Sequence, residues 1–126
     1  MKKAIEDWIK VADNDMKISK SLLKDNPIQF AGVVFHSQQA IEKYFKAFLL
    51  YKGWSLQKTH DLTNLYGEVK KFLDLDIDID VLIDIGSMYL DARYPDNYHD
   101  PSEEEAKKSF ELAEEIEKKI KDSFNE

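Results

Sequence analysis

The chain has 126 residues, no cysteine, 43% hydrophobic residues and a formal charge of -7, from 25 acidic and 18 basic side chains. That length can bury a core as one domain over residues 1–126; a disulfide framework is excluded, and the charge opposes loose, field-driven binding to DNA or RNA. No segment approaches the roughly 18 apolar residues of a membrane span, and no apolar run follows the basic start MKK, so a cytoplasmic protein without membrane contact is expected.

Residues 3 to 24 carry Ile5, Trp8, Ile9, Ala12, Met16, Ile18, Leu22 and Leu23 at mostly three-to-four spacing, which predicts a helix ended by KDNP. Asn26 is the expected cap of a second helix over 27 to 52, with Pro27 in its first position. Phe30, Val33, Val34, Ala40, Ile41, Tyr44, Phe45, Phe48 and Leu49 give that helix a broad apolar face, and Gly53 suits its end. Asp61 or Thr59 then caps a shorter helix reaching about Phe72.

The stretch LDLDIDIDVLIDI, residues 73 to 85, alternates like a half-buried strand. Aspartate is depleted in strands, and the chain offers no second strand to pair with it. Ile79, Leu82, Ile83, Leu90 and Ala92 also fit one helical face, so a helix over 79 to 92 is expected after a loop over 74 to 78. The aspartates mimic the start of a calcium loop, but the glycine at its sixth position and the glutamate at its twelfth are missing. In the last segment Ser102 and Glu105 form a capping box after Pro101, and Phe110, Leu112, Ala113, Ile116 and Ile120 supply the buried stripe. Five helices and no convincing strand make an all-α, up-and-down bundle.

Two stretches can carry chemistry. On the second helix, His36, Gln39, Lys43 and Lys46 line one stripe and are candidate ligand contacts; a solvated helix face with a Glu–Lys pattern, or a polar seam at a helix–helix contact, is the plainer alternative. In LDARYPDNYH stands the chain's single arginine, Arg93, six residues before His99. A guanidinium grips phosphate with two parallel hydrogen bonds where lysine is only a point charge, and histidine suits proton transfer near neutrality. Tyr94 and Tyr98 flank the pair and could stack a base or wedge the loop against the bundle. His36, His60 and His99 lie on three separate elements without zinc-site spacing, so neither metal nor cofactor is expected.

The runs FHSQQAIEKYFKAFLL, KTHDLTNLY and ARYPD, in that order, resemble prokaryotic HEPN-domain proteins over about residues 3 to 121. The resemblance implies a five-helix bundle that dimerises and a nucleotidyltransferase partner, the two acting as a toxin–antitoxin module associated with a nucleotide or RNA. Some members are metal-independent ribonucleases with an Arg, four to six residues, then a His, a spacing that Arg93 and His99 match. Others are nucleotide-binding or inert helical interaction domains. Ribonuclease members usually carry a polar residue after the arginine, within a helix. Here Tyr94 and Pro95 follow, and Pro95 ends the helix near Ala92 and puts His99 in a loop. The first reading is therefore partnership rather than robust catalysis, with ribonuclease action as the alternative.

Overall fold

The computed structural model describes residues 1–55, 59, 61–92, 94–96 and 98–124. Five helices follow in order: α1 (Lys3–Leu23), α2 (Phe30–Tyr51), α3 (Leu62–Val69), α4 (Ile79–Asp91) and α5 (Glu103–Ser123). No strand occurs among the described residues, and no helix among them is long and apolar enough to cross a membrane. The all-α class is thus observed, and LDLDIDIDVLIDI is loop followed by helix.

α2 is the central helix because its sequence is apolar on more than half its circumference. Ala40, Ile41, Tyr44, Phe45, Ala47, Phe48 and Leu49 are all fully buried, and α1, α3, α4 and α5 each pack against it. Met16 from α1, Leu65 from α3, Leu82 and Ile85 from α4, and Ile116 and Ile120 from α5 complete one core cluster. Burying a side chain of this size contributes about 1.5–3 kcal/mol, so the α2 face dominates the stability of the bundle.

The second helix starts later than expected. Asn26 and Pro27 precede it, Gln29 is the N-cap without a side-chain hydrogen bond, and the first helical residue is Phe30. The intervening residues fold back so that Ile28 packs against the core, while Gly32 lets the end of α1 approach. A Cβ on Gly32 would lie 2.7 Å from Leu22 Cδ1. No periodicity reveals that close approach of α1 to α2.

Aspartates place the middle of the chain. Asp61 accepts from the amides of Thr63 and Asn64 at the start of α3, and Asp78 accepts from Asp80 and Val81 at the start of α4. α3 ends at Val69, three residues short of Phe72, and 70–72 form a turn. Asp74 accepts from the amide of Asp76, which holds a left-handed φ of 49°. Lys119 on α5 donates to the carbonyl of Leu75 and ties this turn to the bundle. The aspartate series therefore makes caps and turns.

The apolar residues of α4 divide between two sides. Leu82, Ile85 and Met88 face the core, whereas Ile79, Ile83 and Leu90, expected on the same side as Leu82, are exposed. The period of 3.6 residues explains this: Ile79, Ile83, Gly86 and Leu90 follow a 4-3-4 spacing that keeps them on one outward line.

α5 begins as the sequence predicts. The Ser102 hydroxyl accepts from the amide of Glu105, and the Glu105 carboxylate accepts from the amide of Ser102. Glu103, Glu104 and Glu105 occupy its positive end. Ser102→Ala should lower stability by about 1 kcal/mol, read as a shift in urea midpoint at constant slope. An unchanged midpoint would mean that the cap adds nothing here.

Candidate functional site

Three polar residues meet where α1 crosses α2. Asp15 stands on the inward side of α1, one residue before Met16, and its side chain is 8% exposed. Its Oδ1 accepts from His36 Nδ1 at 2.8 Å, and its Oδ2 accepts from Lys43 Nζ at 2.6 Å. His36 and Lys43 are two turns apart on α2, so one carboxylate clamps both. The hydrogen bond places the proton of a neutral imidazole on Nδ1 and leaves a lone pair on Nε2. Below the clamp the Ser19 hydroxyl bonds Ser37 and the carbonyl of Val33, which satisfies the seam.

The other members of the predicted stripe divide. Gln39 is half-buried and donates to Gln38 Oε1 at 2.8 Å. Lys46 is buried, its ammonium 3.0 Å from Glu42 and over the ring of Trp8 at 5.5 Å. It presents no open charge to a ligand. The stripe is thus partly exposed at His36, Gln39 and Lys43 and buried at Lys46.

The second set lies on the connection from α4 to α5. Helix α4 ends at Asp91 with Ala92 as C-cap, as Pro95 requires, so His99 is in a loop. Arg93 and His60 lie outside the described residues. His99 is exposed, and its Nε2 stands 3.8 Å from Glu105 Oε2. The Ser102 amide, more than His99 itself, holds the Glu105 carboxyl below its ordinary range, which keeps a negative charge beside the imidazole. Tyr94 is 62% exposed and does not wedge the loop. The Tyr98 hydroxyl donates to Asp100 Oδ1 at 2.7 Å, and that carboxylate raises the phenol's pKa.

Tyr98 and His99 rim a shallow cleft whose floor and walls include Phe35, Met88, Tyr89 and Pro101. The Phe35 ring lies 5.9 Å from that of Tyr89 and meets the His36 ring edge-on at 5.1 Å. Phe35 therefore links the α1–α2 clamp to the loop cleft. Among the described residues no group of three His, Cys, Asp or Glu is placed to hold a metal ion.

Sequence reasoning missed Asp15. The signal was available: a carboxylate at position 15 interrupts the buried line of Ala12, Met16 and Ser19, and a charge on a buried face needs a partner. A further cluster was also missed, in which Asp13 accepts from the Tyr44 hydroxyl at 2.5 Å and pairs with Lys121 at 2.8 Å.

Comparison with known proteins identifies the family and the fold. The chain is 29% identical to the "Putative toxin MJ1304" of Methanocaldococcus jannaschii, over 94% of this chain and 87% of that one. The crystal structure of ST0689, an archaeal HEPN homologue, matches with a TM-score of 0.71 at 26% identity, covering 98% of both chains. That of TT1696 from Thermus thermophilus shares the fold, with a TM-score of 0.75 at 21% identity over 96% of this chain and 98% of that one. The HEPN domain model matches residues 5–123, and the chain belongs to the HEPN family.

Proposed function

We propose that this is a toxin-type HEPN protein that engages RNA or a nucleotide through the connection between α4 and α5. It acts as a homodimer with a nucleotidyltransferase partner. The observation that carries the reading is the cleft of Phe35, Tyr89, Tyr98 and His99; the sequence between Ala92 and Tyr98 also contains Arg93. Exposed aromatic rings stack unpaired bases, a contact that does not itself require a positive charge. The name of the M. jannaschii relative supports the toxin class.

The outward line of α4 supports the dimer. Ile79, Ile83 and Leu90 are 38%, 47% and 55% exposed along one side of a single helix. An apolar line at coiled-coil spacing fits a second copy of itself. The double change Ile83→Lys with Leu90→Lys should give a monomer by light scattering, where the wild type is a dimer. A wild-type monomer, or a dimer that survives both changes, rejects this seam.

The exposed His99 beside Glu105 favours a second reading, metal-independent RNA cleavage. There Arg93 would steady the charge on phosphate, and His99 would move the proton of a ribose 2′-hydroxyl. The test is incubation of single-stranded RNA in EDTA with wild type, Arg93→Ala and His99→Ala, with binding measured in parallel. Binding without cleavage, weakened in Tyr98→Ala, supports the first reading. Cleavage lost in both Arg93 and His99 variants supports the second. Neither binding nor cleavage by wild type rejects both.

A further inference from the structure

The α1–α2 clamp has a feature that a purely structural seam does not need. Asp15 is satisfied by His36 and Lys43, and Lys43 offsets its charge, so the cluster is neutral when the imidazole is neutral. The His36 side chain is 24% exposed, and among the described residues no hydrogen bond reaches its Nε2. A buried carboxylate thus fixes the tautomer and orientation of a ring whose free nitrogen is a hydrogen-bond acceptor. A neutral cluster with an outward lone pair suits a neutral donor, not a phosphate.

The surroundings name the class of donor. Phe35, His36, Gln39 and Lys43 share one sector of α2, because residues three and four apart are neighbours on a helix. Phe35 is 45% exposed, touches the His36 ring and continues into the aromatic wall of the cleft. A flat ring beside an oriented acceptor and the Gln39 amide is the equipment for holding one unpaired nucleotide: stacking on the ring, with polar groups read at its edge.

We infer that His36, positioned by Asp15, accepts a hydrogen bond from an N–H or O–H donor of single-stranded RNA whose base lies against Phe35. The inference rests on the RNA reading above and adds a specificity-determining residue outside the Arg93–His99 segment. The donor is the exocyclic amine of a base or a ribose 2′-hydroxyl, and the choice of probe separates them.

The experiment titrates wild type, His36→Asn, His36→Gln, Asp15→Asn and Tyr98→Ala with fluorescent oligoadenylate, oligouridylate and oligodeoxyadenylate, and records the melting temperature of each variant. Asparagine places an amide N–H near Nδ1, for Asp15, and nothing at Nε2; glutamine reaches the Nε2 position. His36→Asn should bind oligoadenylate about tenfold more weakly, as for one oriented hydrogen bond, and His36→Gln should recover part of the loss. Asp15→Asn should weaken the same preference, because one carboxamide oxygen cannot serve both the His36 ring and the Lys43 ammonium. Loss of the adenylate-over-uridylate preference identifies the amine; loss of the ribose-over-deoxyribose preference identifies the hydroxyl. Unchanged affinity and preferences in His36→Asn, with binding weakened in Tyr98→Ala, overturn the inference and leave the RNA reading standing. An equal loss on all three probes together with a lowered melting temperature also overturns it, because the clamp is then only structural. No binding by wild type overturns both.

Discussion

Replacing Asp15 by alanine should cost the fold about 2–4 kcal/mol, with the midpoint of urea unfolding shifted at constant slope. Asp15 is 8% exposed at its side chain, and Lys43 is 18% exposed. Removing the carboxylate leaves a largely buried ammonium without its counter-charge and a histidine Nδ1–H without its acceptor. Breaking such a pair from one side is more damaging than deleting both members, because the surviving charge keeps its desolvation penalty. The double change Asp15→Ala with Lys43→Met should therefore be more stable than Asp15→Ala alone, the methionine filling the space of the lysine stem. Should the double variant be the less stable of the two, the clamp is not held by charge compensation.

The readability of this chain varies with how local each determinant is. The capping box of α5 depends on residues within one turn and lies where the sequence puts it, and α4 starts at Ile79 as the sequence leads one to expect. The face of α2 is similarly plain, because seven of its apolar side chains repeat at helical spacing and all reach the core. The approach of Leu22 to Gly32 beside the start of α2 is a contact between elements. The spacing of apolar residues along α2 does not encode it. α4 carries apolar residues on two sides, and a pattern alone cannot say which side meets the core and which is left outside. The candidate site divides in the same way. His36 and Lys43 are visible as a stripe, but Asp15 lies 21 residues before His36. Only the packing of α1 on α2 shows that the stripe is organised by an acid on another helix. His99 in a loop followed from Pro95, whereas its neighbour Glu105 was legible only as a helix cap.

Stability should fall steeply above about pH 10, and Tyr44→Phe should flatten that fall. Tyr44 has no exposed surface, and burial, followed by its hydrogen bond to Asp13, pushes its phenol far above the ordinary range. The unfolded chain releases this proton near about pH 10, while the folded chain keeps it. A group whose folded pKa is raised contributes stability that is complete below the unfolded pKa and is lost as pH rises beyond it. Each pH unit above that point should thus remove about 1.4 kcal/mol through Tyr44 alone. Lys121 acts in the same direction, since its bonds to Asp13 and Glu117 raise its pKa against the opposing effect of burial. Its half-exposed position makes its share smaller. At neutral pH Tyr44→Phe should lose only about 1–2 kcal/mol, because Asp13 retains Lys121 after the hydroxyl is gone. Urea unfolding of both proteins at pH 8, 10, 11 and 12 gives the two slopes. A wild-type curve parallel to that of Tyr44→Phe across this range would show that Tyr44 ionises as readily in the folded chain as in the unfolded one. The contact between α1 and α2 at Asp13 would then be open to water. The outcome also bears on the clamp, because Asp13 and Asp15 are two residues apart on α1 and hold the same helix pair by different means: one through a phenol that resists titration, the other through a shared carboxylate. A bundle that loosens first at Tyr44 in alkali while Asp15 still holds His36 would show that the two fastenings act independently.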